Sequence, residues 1–420
     1  MIRTLPLLLS VLAFDLCAQW STVYPSVGAR KDDIFFINPD TGWVAGGADG
    51  TILRTHDGGD TWQTVLQVPF YFRSIEFATP MLGFAGSLNN QFMRTTDGGD
   101  TWQNITDSIP PPSSICGLSA PTATDIYGVG VWSAPAYLIR STDGGDTWTK
   151  TSMATLATRL VDVQFYGPDT GYAAGTAQPA SQGGVILGTT DGGDTWSVLH
   201  RTGHVSDIIW KIQSPDNGRH IYCSIDALSG TGGTRFVRST DSGATWSTVT
   251  ATTDYHYIQA IGFLDTLRGW MGAETTLLET VDGGTTWTDS PFVEGHGYDR
   301  FHKVSATQAF MSGDGIYRFT DNSVGLPPIT DAPRRPVEWI QVDPNPVAAE
   351  ASIRMQVFRP SFTELLLVSP DGRTLRQLFR GELQGGEHRH TADLRDLPAG
   401  SYHMIMRTNQ GQTSARFVKR

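Results

Sequence analysis

The chain has 420 residues, 46 of them Gly and 12 Trp, with a charged fraction of 17% and a formal net charge of −11. So turn-rich and sparsely charged a composition excludes a coiled coil, a helical array and a disordered polyelectrolyte, and the length leaves room for one large and one small domain. The negative balance excludes nucleic acid as a partner, because its phosphates would be repelled.

Residues 1–18 read as a signal peptide. Arg3 precedes an apolar run from Leu5 to Phe14, and Leu16-Cys17-Ala18 puts a small residue ahead of a cut before Gln19. Leu16 before Cys17 is not a lipoprotein context. The run is too short for a lasting span, and nothing later reaches ~18 apolar residues, so no transmembrane segment is expected.

One short string then recurs six times, as Thr55-His-Asp57-Gly-Gly-Asp-Thr-Trp62 and its near-copies. The aspartates are Asp57, Asp97, Asp143, Asp191, Asp241 and Asp282, and the tryptophans Trp62, Trp102, Trp148, Trp196, Trp246 and Trp287. Intervals of 40, 46, 48, 50 and 41 residues are those of β-propeller blades. The Asp carboxylate accepts nearby backbone N–H groups, the Gly pair tolerates positive φ, and Trp opens the next strand. A Gly-aromatic signature lies upstream in each repeat, for example Gly42-Trp43, Gly83-Phe84, Gly171-Tyr172 and Gly269-Trp270. A blade reads as strands A (Ile75 to Phe77), B (Gly83 to Gly86), C (Phe92 to Thr95), the Asp turn, and D opening with Trp.

The A/B signature occurs seven times and the complete Asp turn six. Tyr317-Arg-Phe-Thr-Asp321 keeps the seventh aspartate without its Trp strand, whereas Gln19-Trp20-Ser-Thr-Val-Tyr resembles Thr61-Trp62-Gln-Thr-Val-Leu. The expectation is an all-β, seven-bladed propeller over residues 19–325, its last blade closed by residues 19–25, which removes exposed edges. Cys116 and Cys223 fall two blades apart and read as buried thiols.

These strings resemble the Asp-box, or BNR, repeats of sialidases, sortilin-type receptors, some glycoside hydrolases and propellers related to photosystem II assembly factors, the last most of all. The resemblance covers about residues 20–325. It implies that the boxes are structural turns on the periphery, with no cofactor, no metal and no catalytic role.

Past Asp321, Gly325-Leu-Pro-Pro and Ala332-Pro-Arg-Arg-Pro336 read as a stiff linker over residues 326–336. Residues 337–420 alternate around Asp-Gly and Ala-Gly turns, which predicts a small immunoglobulin-like β-sandwich. Pro344-Asn345-Pro346, Ser369-Pro-Asp-Gly372, Leu397-Pro-Ala-Gly400-Ser-Tyr402 and the basic end Lys419-Arg420 resemble the type A C-terminal sorting domain of the type IX secretion system of Bacteroidota. Val342-Asp343 departs from the aromatic residue common before that start. The resemblance implies the type IX machinery as partner and passage through the periplasm to the outer-membrane surface or beyond. An adhesive module is the other reading of this domain. His388-Arg-His390 reads as solvated strand. The tail from Asp331 carries +3 and the leader is neutral, leaving −14 on residues 19–330, which suits cationic or neutral partners.

Function is expected where strands A converge, at the loops leading into them. Those loops hold Tyr71, Arg73, Arg159, His204, Asp207, Tyr255, His256, His296, Tyr298 and Arg300. Rings that stack and cations that grip carboxylates or hydroxyls suggest a rim binding protein or glycan ligands without catalysis. The alternative is a glycoside hydrolase or sialidase, casting Arg73, Arg159 and Arg300 around a carboxylate with Tyr298 as nucleophile. Tyr71-Phe-Arg-Ser is only a shadow of the sialidase Phe-Arg-Ile-Pro.

Overall fold

The structure is a computed structural model and describes residues 19–25, 29–130, 135–227, 230, 232–292, 294–321, 339–357, 360–369, 373–408 and 411–420. The expected signal peptide, residues 1–18, and linker, residues 326–336, lie outside them, as do Pro370 to Gly372 of the expected Asp-Gly turn. The chain divides into two compact units, Met1–Pro327 and Pro328–Arg420.

The first unit is a β-propeller. Its described residues form seven four-stranded antiparallel sheets. Sheet 1 runs outward through Lys31–Phe36, Gly42–Gly46, Thr51–Thr55 and Gln63–Gln67. The inner strands of sheets 2 to 7 are Phe72–Phe77, Gly117–Ser119, Ala157–Phe165, Asp207–Gln213, Ile258–Phe263 and Arg300–Lys303. Each inner strand touches the next, and Arg300–Lys303 returns to Lys31–Phe36. Sheet 7 takes its outer strand from the beginning of the chain: Gln19–Tyr24 pairs with Ile316–Thr320, with Trp20 opposite Phe319.

Inner and second strands are buried on both faces, which is why they read as apolar runs rather than as alternating strands. The outer strands begin one residue later than the sequence suggests, at Gln63, Gln103, Thr149, Ser197, Ser247 and Thr288, so each Trp belongs to the turn. There its ring meets an aromatic edge-on, of its own blade as Trp62 meets Phe36 at 6.0 Å and Trp102 meets Phe77 at 6.0 Å, or of the preceding blade as Trp148 meets Phe84 and Trp246 meets Tyr172. In the first box Asp57 accepts the Thr61 N–H at 2.9 Å and the Thr61 hydroxyl at 2.6 Å, and the Thr55 hydroxyl accepts the Gly59 N–H at 2.9 Å. Gly59 adopts φ +86°, and a Cβ there would meet the Phe310 ring of sheet 7.

The second unit has two sheets, Trp339–Asp343, Glu350–Val357 and Gly386–Asp393 in one, and Thr374–Leu383, Ser361–Val368, Gly400–Thr408 and Gly411–Lys419 in the other. Ile340, Ile353 and Met355 from the first share a core with Leu365, Met404 and Phe417 from the second. Asn345 ties the Pro-Asn-Pro segment to the last strand by accepting the Val418 N–H at 2.9 Å.

Candidate functional site: the mouth and channel of the propeller

Charged residues on strands otherwise filled with apolar side chains mark the axis of the propeller. Where the inner strands begin, Arg30 pairs with Asp32 at 2.6 Å and with Asp299 at 2.8 Å. Arg73 also pairs with Asp32, and its guanidinium lies 5.3 Å from the Trp210 ring centre. Burial, with Asp32 close by, pushes the Asp299 carboxyl up to about 7. On sheet 5 Arg235 donates to Asp207 at 2.7 Å, and the Tyr255 hydroxyl donates to Asp226 at 3.1 Å. Burial raises Asp226 to about 6.

Deeper in, Arg300 bridges three sheets, donating to Asp33 at 2.8 Å and in a fork to Asp162 at 2.8 and 3.1 Å. Asp33 also accepts the Ile75 N–H and Asp162 the Ile212 N–H, so two carboxylates tie five sheets together. Lys211, fully buried near this cluster, is lowered to about 8 by burial and then by Arg300. At the far end a cavity of about 170 Å³ is lined by Glu76, Gln164, Arg300, His302 and Lys303. Burial raises Glu76 to about 8 and lowers His302 to about 4.

The expected rim residues divide into those at the mouth and those beneath it. Tyr71 and Arg73 join the Asp32 cluster, Asp207 pairs with Arg235, and Tyr255 meets Asp226. Arg300 is buried in the channel, and Tyr298 is 2% exposed and packs 5.2 Å from Tyr317. His204 and His296 are exposed, and His256 is half-buried with its N–H donated to Thr234. Arg159 is half-buried and its Nε has no partner. Arg73 and Arg300 are committed to carboxylates and do not converge as free guanidinium groups with Arg159. Sequence reasoning named Asp299 among the rim acids but missed Arg30, Asp32, Asp226 and Gln259. The signal for part of this set was Lys31-Asp32-Asp33, charges inside an inner strand.

Of the buried polar atoms without a hydrogen-bond partner, Asp207 Oδ2, Arg159 Nε, Arg235 Nε and Nη1, Trp210 Nε1 and Gln259 Oε1 lie at the mouth, and others, such as Trp62 Nε1, Trp102 Nε1 and Arg54 Nε, lie at the outer turns and strands. Among the described residues no group of three or more His, Cys, Asp or Glu could hold a metal ion, and no helix is long and apolar enough to cross a membrane. Cys116 and Cys223 are buried and form no disulfide.

Comparison with known proteins gives the same fold. Residues 13–130 match the family described as photosynthesis system II assembly factor YCF48. No curated protein matches. The structure of YCF48 bound to D1 peptide is 20% identical with a TM-score of 0.56, covering 72% of this chain and 96% of that one. An ancestral GH74 enzyme is 12% identical with a TM-score of 0.57, covering 94% of this chain and 63% of that one. PorZ, a surface component of the type IX secretion system of Porphyromonas gingivalis, is 12% identical with a TM-score of 0.51, covering 92% of this chain and 59% of that one. The chain is thus similar over its first repeats to the YCF48 family and carries the propeller fold.

Proposed function

We propose that the protein is a seven-bladed propeller followed in the chain by an immunoglobulin-like sandwich, and that the propeller binds an extended protein ligand without catalysis at the mouth where its inner strands begin. The observation that carries this reading is the group of buried, unpartnered donors and acceptors at that mouth, since such groups cost free energy until a ligand or water satisfies them. The committed ion pairs beneath supply a rigid floor. That a YCF48 relative is solved with a peptide bound supports a protein ligand over a glycan. Titrating the full chain against an array of extended heptapeptides and against a glycan array tests it. Saturable peptide binding lost on Arg159→Ala supports the reading; binding to glycans alone overturns it.

Residues 337–420 are proposed to act as a type IX sorting domain, delivering the propeller through the periplasm to the outer-membrane surface or beyond, as in Bacteroidota. The support is the Pro344-Asn345-Pro346 and Leu397-Pro-Ala-Gly400-Ser-Tyr402 pattern. Deleting residues 337–420 should trap the protein in the periplasm, and finding it outside the cell would refute the role.

Hydrolysis of extracellular glycans is the second reading. It is favoured by Asp226, raised to about 6 as a general acid requires, on a mouth that also holds Asp207. Turnover of sialosides or β-glucans abolished by Asp226→Asn would establish it in place of the first.

A further inference from the structure

We propose that a cavity of about 210 Å³ at the mouth, between sheets 6 and 7, is a cation pocket that takes the ammonium or guanidinium group of a Lys or Arg side chain from the protein ligand. The inference rests on the reading of the mouth as a protein-binding surface and names the ligand's chemistry. Sheet 6 supplies Tyr257, Gln259 and Glu274 to the walls; sheet 7 supplies Tyr298 and Asp314.

The walls are short of donors. Gln259 is 4% exposed; its amide nitrogen donates to the Tyr257 hydroxyl at 3.2 Å, and its Oε1 is left buried with nothing donating to it. The side-chain carboxylates of Glu274 and Asp314 line the same cavity and make no hydrogen bond or ion pair with a described residue. An amide oxygen and two carboxylates are acceptors only, so the complementary group is positively charged and carries several N–H donors. An anion would meet two negative charges, Glu274 exposed and Asp314 half-buried.

Arg30 also lines the cavity, but its charge is already matched by Asp32 at 2.6 Å and Asp299 at 2.8 Å. The Tyr257 and Tyr298 rings give the methylenes of a Lys or Arg stem an apolar wall. At longer range the −14 of residues 19–330 draws cationic segments toward the surface.

The test starts from heptapeptides that bind the full chain. Each Lys is replaced by acetyl-lysine and each Arg by citrulline, which keep shape and remove charge. One such replacement should weaken binding at least ~10-fold. Glu274→Gln with Asp314→Asn should erase that difference while leaving the thermal midpoint unchanged and neutral peptides bound as before. Peptide binding that is indifferent to charge removal, and to the double substitution, yet is lost on Arg159→Ala overturns the pocket and leaves the mouth standing. Absence of any saturable peptide binding overturns both.

Discussion

Arg300 is the residue whose removal the fold should tolerate least. It is 8% exposed and neutralises Asp33 and Asp162, which are 2% and 0% exposed. Arg300→Met would leave two buried carboxylates without the guanidinium paired with them and only the buried Lys211 nearby, and the expected loss is about 3–5 kcal/mol in urea unfolding. Adding Asp33→Asn and Asp162→Asn should recover part of it, because the uncompensated charge, not the lost contact, dominates the cost. A single substitution that costs under about 1 kcal/mol would mean that water reaches the cluster and screens it. The same scale holds a turn that the sequence reading passed over. Ser214, Asp216, Gly218 and His220 repeat the Asp-box bonding between an inner strand and its neighbour, with Gly218 donating to the Ser214 hydroxyl at 2.7 Å and His220 Nδ1 2.6 Å from Asp216. With no Trp after it and His in place of Thr, the string escapes a search for the repeat.

Between sheets, an arginine on the third strand reaches the Asp box of the next sheet. Arg54 donates to the Gly98 carbonyl at 3.0 Å and pairs with Asp100 at 2.7 Å. Arg94 pairs with Asp146, Arg140 with Asp194, and Arg318 closes the circuit on Asp60. The junction of sheets 4 and 5 lacks both halves of the pair, for Gly188 of sheet 4 stands where the arginine would be and Ala244 of the sheet 5 box where the aspartate would be. A cavity of about 660 Å³ opens there, lined by Tyr166, Tyr172, Trp196, Gly188 and Ala244. Gly188→Arg with Ala244→Asp should restore the staple and raise stability by up to about 1 kcal/mol, as part-exposed ion pairs do. Gly188→Arg alone should gain less or lose, since a Cβ at Gly188 meets Leu199, which must swing outward. A double-mutant cycle in guanidinium chloride measures the coupling, and zero coupling would show that the two side chains do not meet.

At the scale of the molecule, the repeat made the architecture legible, because turns such as Asp57 to Trp62 are local: their geometry depends on residues four apart. The mouth was only half legible. Tyr71, Arg73 and Asp207 could be placed by counting from the boxes, but whether Arg73 faces solvent or Asp32 depends on a contact 41 residues away, and Arg300 meets Asp33 across 267. Such closure contacts leave no periodic trace in the sequence. They do leave a trace in acid–base behaviour. Burial raises Asp226, Asp299 and Glu76 to about 6, 7 and 8, so between pH ~4, where carboxylates ordinarily titrate, and those values the folded chain holds protons that the unfolded chain has released. Stability therefore falls as pH rises through that window. Asp57, Asp97, Asp143 and Asp191 act in the opposite sense: hydrogen bonds from the neighbouring Thr side chains, then from backbone N–H groups, hold them at about 2, so their contribution is present above pH ~4 and is lost as pH falls toward 2. His302, lowered to about 4, opposes the fall up to pH ~6.5 but is one group against three, so the maximum lies in mild acid, near pH ~4–5. Thermal midpoints measured from pH 3 to 8 should peak there and decline toward 8, and Glu76→Gln with Asp299→Asn should flatten the decline while leaving the acid limb in place. A midpoint that climbs steadily from pH 5 to 8 would mean that these carboxyls are solvated and that the floor of the mouth is open to water.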